Sequence, residues 1–267
     1  MTNALYLYLR YVGISIKSQM QYRASFIMLS LGQMMVTAIE FSGILVLFDR
    51  FDSLAGWRLA EVAFLYGLIN VGFAISDAAA QGFEVFGTMV KSGDFDRLLL
   101  RPRSTALQLA GQEITLRRVG RLSLGLFILI WASIALDLEW SAPRVLLTFG
   151  AIAGAASLFY GLFVLQATLA FWTTETLEIM NTVTYGGVET AQYPLSIYRS
   201  WFRRFFTYVV PLAGISYYPS LAIMGRTDPL ESTALLQYLS PLAGVIFLLV
   251  SLQIWKIGVR HYTSTGS

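Results

Sequence analysis

Long apolar segments, separated by short charged interruptions, constrain this chain more than any other feature. Only 13% of its 267 residues are charged, against roughly 25% in a typical soluble domain. A soluble domain of this length would need a polar surface that so few charges cannot supply. A helix crosses a bilayer with about 20 apolar residues, and the alternating pattern of membrane strands is lacking. The sequence therefore predicts an all-α polytopic membrane protein with a single membrane domain.

Six segments are long enough to cross a bilayer. They lie at Ala24–Phe48, Ala60–Gln81, Leu107–Leu136, Val145–Trp172, Trp201–Met224 and Leu235–Gly258. The third segment contains Arg117, Arg118 and Arg121. We expect this helix to start in the cytoplasm, to let the arginines snorkel to the membrane surface, and to enter lipid near Leu122.

An amphipathic helix is predicted before the first span. Its apolar positions recur at helical spacing and lie opposite Arg10 and Lys17, which is typical of a helix in the membrane interface. These apolar positions are Leu5, Leu9, Val12, Ile16 and Met20. We divide the chain into this interfacial helix (residues 1–23), a six-span transmembrane domain (24–258) and a cytoplasmic tail (259–267).

The basic residues predict the orientation. With both termini inside, fifteen of the 19 Lys and Arg residues fall on the inner side and four on the outer side. This asymmetry favours cytoplasmic termini in the cell (inner) membrane. The inner group includes Arg199, Arg203 and Arg204, because residues 173–199 are interpreted as a second cytoplasmic connection. Broken backbone at Pro211–Pro219 suggests a short re-entrant piece on the outer side.

Composition excludes several kinds of chemistry. The chain has no cysteine and one histidine, His261, so thiol catalysis and histidine-rich metal sites are excluded. No G-x-x-x-x-G-K-[ST] phosphate loop occurs, so ATP cannot bind by that route and we do not expect an enzyme. Aromatic and basic residues around Trp201 and Arg203 are interpreted as a membrane-interface belt that contacts lipid, and no nucleic-acid partner is expected.

Two acidic residues, Glu40 and Asp77, lie within predicted spans. Ionisable groups at that depth are costly and are candidates for function. Glu40 shares a helix face with Gln33, and Asp77 lies on a polar stripe with Asn70. Two interpretations stay open: these groups satisfy one another between packed helices, or Glu40, Asn70 and Asp77 line a substrate path or gate.

The stretch from Gly93 to Pro102 lies between the second and third spans. A glycine break, an acidic start, a leucine run and an arginine before proline describe one exposed amphipathic turn closed at both ends. Exposed leucines favour a binding partner. We expect this stretch to dock onto another protein from the cytoplasmic side.

The pattern Gly93-x-Phe95-Asp96-x-Leu98-Leu99-x-Arg101-Pro102 resembles the loop between the second and third spans of ABC-2-type transporter permeases. The similar branch has six spans and was once catalogued as a domain of unknown function. The resemblance continues in order through Phe171-Trp172, Tyr193-Pro194-Leu195-Ser196-Ile197-Tyr198, Pro211-x-Ala213 and Tyr218-Pro219. It covers nearly the whole chain.

The resemblance implies a permease subunit that pairs with itself or with a second permease and binds two cytoplasmic ABC ATPase subunits. ATP and magnesium would bind to those ATPases, and this chain would hold no cofactor. The loop would carry a coupling helix, and the N-terminal helix is similar to the family's connecting helix. Carried onto this chain, the ATPase-coupling residues are Asp94, Phe95, Asp96, Arg97, Leu98, Leu99 and Arg101.

The expected function is ATP-driven export of a hydrophobic or amphipathic substrate, such as a lipid, a peptide or a drug-like compound. The alternative is an ion-coupled secondary transporter that uses Glu40 and Asp77. A membrane-embedded enzyme has the least support, because no hydrolase, metalloprotease or phosphotransferase motif is present.

Overall fold

The structure, a computed structural model, describes residues 2–112, 115–173 and 177–263. The side chains of residues 2–5, 7–9 and 177–179 lie outside the description, and they include the predicted interfacial positions Leu5 and Leu9. The last four residues of the predicted tail are outside it as well. Apart from one bridge between Leu54 and Trp57, regular structure in these ranges is helical, which confirms the all-α class.

The helices are numbered here in chain order. They are α1 (Thr2–Met20), α2 (Arg23–Arg50), α3 (Leu59–Ala79), α4 (Gln81–Glu84), α5 (Phe86–Lys91), α6 (Asp94–Leu99), α7 (Thr105–Ala110), α8 (Val119–Ala135), α9 (Ala142–Leu169), α10 (Leu177–Ala191), α11 (Ser200–Tyr208), α12 (Leu212–Ile215), α13 (Tyr217–Met224), α14 (Ala234–Leu239) and α15 (Leu242–His261). Short 3-10 turns lie before α8 and α11.

Helix α3 is the centre of the bundle. It is largely apolar and is buried along almost its full length, as expected for a helix surrounded by other helices. It packs between α8 and α9, and α15 packs along the far side of α9. Glycines permit these close approaches: a β-carbon at Gly67 of α3 would lie 2.7 Å from the backbone nitrogen of Leu129 in α8.

Side-chain contacts define two ends of the bundle. The terminal end contains the end of α1, where Gln19 Oε1 accepts from the Leu116 amide at 2.9 Å, and the end of α15, where the Trp255 indole donates to Thr105 at 3.1 Å. The distal end contains Trp57, at the start of α3. Both chain termini therefore lead to the terminal end, where α6 also lies.

Helix α10 crosses between these ends, although the sequence predicted a cytoplasmic connection there. Near its start, Asn181 accepts a hydrogen bond of 2.9 Å from Gln166 in the last turn of α9. Further along, Tyr185 packs against Phe73 of α3, and Ser196, just beyond α10, accepts from the Trp57 indole at 3.1 Å. The fifth crossing is thus α10, and the prediction for residues 173–199 is wrong. With 15 residues, two of them glutamates, α10 is too short and too polar to be recognised as a long apolar segment.

The predicted fifth span, Trp201–Met224, is a re-entrant segment. Helices α11 and α12–α13 are bent by 71°, and both ends of the segment lie at the distal end: Ser196 precedes it at Trp57, and Arg226 follows it at Glu61. The prediction of one straight span is therefore wrong, whereas the expectation of a re-entrant piece agrees with the structure.

The re-entrant path changes the end of the bundle to which three basic residues are assigned. Arg199, Arg203 and Arg204 belong with the distal end, so the predicted groups of fifteen and four become twelve at the terminal end and seven at the distal end. More basic residues therefore still lie at the terminal end than at the distal end.

The third and sixth predicted spans are interrupted. Within Leu107–Leu136, α7 ends at Ala110, and a turn over Leu116–Arg118 leads into α8. Thr115 holds this turn against the end of α3, since its amide donates to the Ala78 carbonyl at 3.0 Å. The sixth span is α14 followed by α15, separated by a break at Ser240 and Pro241.

Candidate functional site

An ion-pair cluster lies inside the bundle where α2, α3 and the start of α8 meet. The Arg118 guanidinium lies 2.8 Å from the Asp77 carboxylate and 3.9 Å from that of Glu84. It also donates to the Gln33 amide oxygen of α2 at 3.3 Å. The Asp77 side chain is 1% exposed and that of Arg118 12%, so this pair is shielded from solvent.

A second pair lies one helical turn further along α8. The Arg121 guanidinium is 3.4 Å from the Glu40 carboxylate of α2 and lies over the ring of Phe73, 5.0 Å from its centroid. Its side chain is 9% exposed. Each intramembrane acid of the sequence analysis is therefore paired with an arginine.

These pairs correct the prediction that the arginines snorkel to the membrane surface. Snorkelling places a charge in water when no partner lies nearby, but here carboxylates of α2 and α3 are within reach of Arg118 and Arg121. Arg117, partly buried, lines a cleft at the terminal end with Gln19 of α1. A charge in a low-dielectric interior is tolerated when it is paired with an opposite charge, as the charges of Arg118 and Arg121 are.

Asn70 does not join the cluster. Its side-chain amide donates to the Tyr66 carbonyl of its own helix at 2.9 Å, and its Cβ packs beside Gly125 of α8. The residue is fully buried. Of the predicted path residues, only Glu40 keeps appreciable exposure, with 29% of its side chain accessible.

The predicted docking stretch forms helix α6, and its inner face anchors it to the bundle. The Phe95 ring is fully buried, with centroids 5.0 Å from Phe86, 5.6 Å from Phe171 and 4.9 Å from Tyr262. Phe95 is therefore an internal anchor, and the prediction that it contacts a partner is corrected on this ground. Gly93, with φ of 73°, supplies the left-handed turn that starts the helix.

The outer face of α6 combines apolar and basic side chains. Leu99 is 41% exposed and Leu100 84%, and Arg97 and Arg101 are exposed beside them. Hydrogen bonding from Ser92 and the charge of Arg97 hold the pKa of Asp94 below its ordinary value. Leu100, the most exposed apolar residue here, is absent from the predicted coupling set.

The distal end carries a second polar cluster, which the sequence analysis did not predict. Arg226 forms an ion pair with Glu61 at the start of α3 and donates to the Gly56 carbonyl at 2.8 Å. Its guanidinium stacks over the buried Trp57 ring, 4.0 Å from the centroid. These contacts tie the end of the re-entrant segment to the α2–α3 loop, as Ser196 ties its beginning.

Asp228 completes this cluster. It accepts hydrogen bonds from the Tyr217 hydroxyl at 2.6 Å and from the Leu230 and Ser232 amides at 2.9 and 3.1 Å. Burial raises the pKa of Asp228, but hydrogen bonds from Ser232, Tyr217 and Leu230 outweigh that effect and hold the pKa below its ordinary value.

Comparison with known proteins decides the family. A family model described as an ABC-2 family transporter protein matches residues 34–266. The chain belongs to this family. It is thus a permease, the membrane subunit of an ABC transporter, a class that associates with an ABC ATPase. No curated protein and no solved structure matched the chain.

The sequence located the parts of this permease better than their connections. It identified both intramembrane acids and the α6 stretch, but it missed the arginine partners, Leu100 and the distal cluster. One signal was available for that cluster: the segment from Tyr193 to Tyr198, which carried part of the family resemblance, contains Ser196. The partners themselves lie far apart in sequence, and only the folded bundle brings them together.

Proposed function

We propose that this permease is driven by ABC ATPase subunits that dock on the outer face of α6. One observation carries the proposal: α6 is anchored inward by Phe95 and presents Leu99, Leu100 and two arginines outward. An exposed apolar pair flanked by cations, on a rigidly held helix, suits a protein groove with acidic edges. The contact set is then Asp94, Asp96, Arg97, Leu98, Leu99, Leu100 and Arg101. ATP and magnesium bind in the ATPase.

The cargo we propose is a hydrophobic or amphipathic molecule, exported through a path beside α3. Beside α3, Tyr185 and Glu189 of α10 are exposed, and Glu189 interacts electrostatically with Glu40 and Arg121. Polar groups open to the side of a membrane bundle need cover from protein or water. A second permease, identical or related, supplies that cover and completes the path.

We propose that the permease lies in the cell (inner) membrane. In the proposed orientation, both termini and α6 are in the cytoplasm. The twelve basic residues at the terminal end, against seven at the distal end, support this direction. The re-entrant segment then lies on the outer side.

The ion-coupled alternative receives less support from the geometry. Coupling to a cation gradient requires a carboxylate that gains and loses a cation or proton during transport. Asp77 and Glu40 each face an arginine at 2.8 and 3.4 Å, and an arginine stays charged at all relevant pH values. These carboxylates are therefore neutralised by fixed charges.

Co-purification with the cognate ABC ATPase tests the proposal. We expect Leu100→Ser to weaken ATPase binding about five- to thirty-fold, the effect of losing about 1 to 2 kcal/mol at an interface. The matched control is Leu235→Ser, which changes a leucine of similar exposure at the distal end. Equal ATPase recovery by the two variants and the native chain would contradict the docking proposal.

A further inference from the structure

A cleft of about 780 Å³ lies between α7 and α15 at the terminal end. Side chains of α7 line one wall and side chains of α15 line the other. Its walls are largely apolar and include Phe83, Tyr160, Leu249 and Leu252. This cleft is separate from the ion-pair cluster and from the exposed face of α6.

Positive charge is placed at one end of this cleft. Lys256 and Arg260 line it, are exposed, and lie one turn apart on the same face of α15. No acidic side chain is among the described residues that line the cleft. From Leu249 to Arg260 the helix rises about 16 Å. The apolar wall of the cleft therefore ends at two basic side chains, Lys256 and Arg260, with no acidic side chain among the described lining residues.

We propose that this cleft binds an anionic phospholipid. The phosphate headgroup lies between Lys256 and Arg260, and an acyl chain lies along Leu249 and Leu252. Residues Ile246, Leu249 and Val250 are all more than half exposed on the same helix, as expected of a surface that faces lipid. A small soluble anion would use the cations but leave the apolar wall uncovered. The proposal stands independently of the proposed transport function.

Lipid retention measured by native mass spectrometry tests this assignment. The full-length permease is equilibrated with equimolar phosphatidylglycerol and phosphatidylcholine in mixed micelles and then washed. We expect the native chain to retain phosphatidylglycerol preferentially. We expect Lys256→Gln/Arg260→Gln to weaken that retention about thirty-fold, from about five-fold for each basic residue at a membrane surface. Both positions are exposed, so the variant should fold.

The control variant is Lys17→Gln/Arg23→Gln, which removes the same charge from exposed positions at the terminal end but outside the cleft. We expect it to retain phosphatidylglycerol like the native chain. A further variant, Ala106→Trp, fills the cleft and keeps the cations, and we expect it to lose the lipid as well. Its melting temperature, measured alongside, establishes that it is folded.

Three results would overturn the proposal. The first is equal loss of lipid in the control and cleft variants, which would indicate a general surface charge effect. The second is full displacement of the lipid by inorganic phosphate, which would indicate a soluble-anion site. The third is unchanged lipid retention with altered permease pairing or ATPase recovery in Lys256→Gln/Arg260→Gln, which would assign the cleft to a protein interface.

Discussion

Arg118 illustrates how a single residue connects three helices. It lies at the start of α8 and contacts Asp77 and Glu84 on one side and Gln33 of α2 on the other. Burying an ion pair costs desolvation energy, and removing one partner leaves an uncompensated charge. The stability of this junction should therefore depend on both partners together.

We predict that Asp77→Asn and Arg118→Gln each destabilise the permease by about 3 kcal/mol or more. The double variant should lose much less than the sum of the two, because no unpaired charge then remains. Thermal unfolding in detergent measures the three differences. The control is the pair Asp94 and Arg97, which is largely exposed, and for which substitutions should change stability by less than about 1 kcal/mol. Strict additivity at Asp77 and Arg118 would contradict the coupling.

Asp228 provides a prediction about pH. Its pKa is lower in the folded protein than its ordinary value of about 4. The stabilisation from its hydrogen bonds is therefore fully present above pH 4 and is lost as pH falls through the folded pKa. We expect Asp228→Asn to lower the melting temperature at pH 7 and the difference from the native chain to shrink below pH 4. A difference that stays constant from pH 7 to pH 3 would refute this explanation.

Among the elements, α9 and α15 pack closely against each other through glycines. A β-carbon at Gly154 of α9 would lie 2.6 Å from the Pro241 carbonyl oxygen, and one at Gly244 would lie 2.1 Å from the Gly154 carbonyl oxygen. Gly150, one turn earlier on α9, has no atom within 4 Å of such a position. Of these two glycines, Gly154 therefore makes the close approach and Gly150 does not.

We predict that Gly154→Ala destabilises the permease by about 1 to 3 kcal/mol, because the new methyl group meets backbone atoms that cannot move aside easily. Gly150→Ala adds the same group to the same helix in open space. Alanine is the better helix former, so this control should be neutral or slightly stabilising. Comparable losses in the two variants, measured by thermal unfolding, would disprove the close approach.

The sequence predicts elements well where one physical property dominates. Helices α2, α3 and α9 are long and apolar, and each lies within about three residues of its predicted bounds, whereas α15 begins seven residues after the predicted start of the sixth span. Helix α10 was not predicted as a crossing, because its short polar sequence acquires its position from contacts with α3 and α9. The re-entrant segment has the composition of a span, and only its bend and its two anchored ends reveal a different path.

At the scale of the whole molecule, α6 is connected more widely than its place in the sequence suggests. In the sequence, the stretch that forms α6 lies between the second and third spans, so those two spans are its only obvious neighbours. The Phe95 cluster also includes Phe171, just after α9, and Trp255 of α15. A displacement of α6 would therefore act on the fourth and sixth spans as well. Sequence could not predict this, because these residues are 76 and 160 positions away from Phe95.

The unequal lengths of α2 and α10 have a consequence for the surrounding bilayer. At 1.5 Å per residue, the 28 residues of α2 span about 42 Å and the 15 residues of α10 about 22 Å, whereas the hydrocarbon core is about 30 Å thick. Helices α2 and α10 therefore match different hydrophobic thicknesses, and the second permease proposed to cover α10 would also keep the bilayer away from the shorter helix.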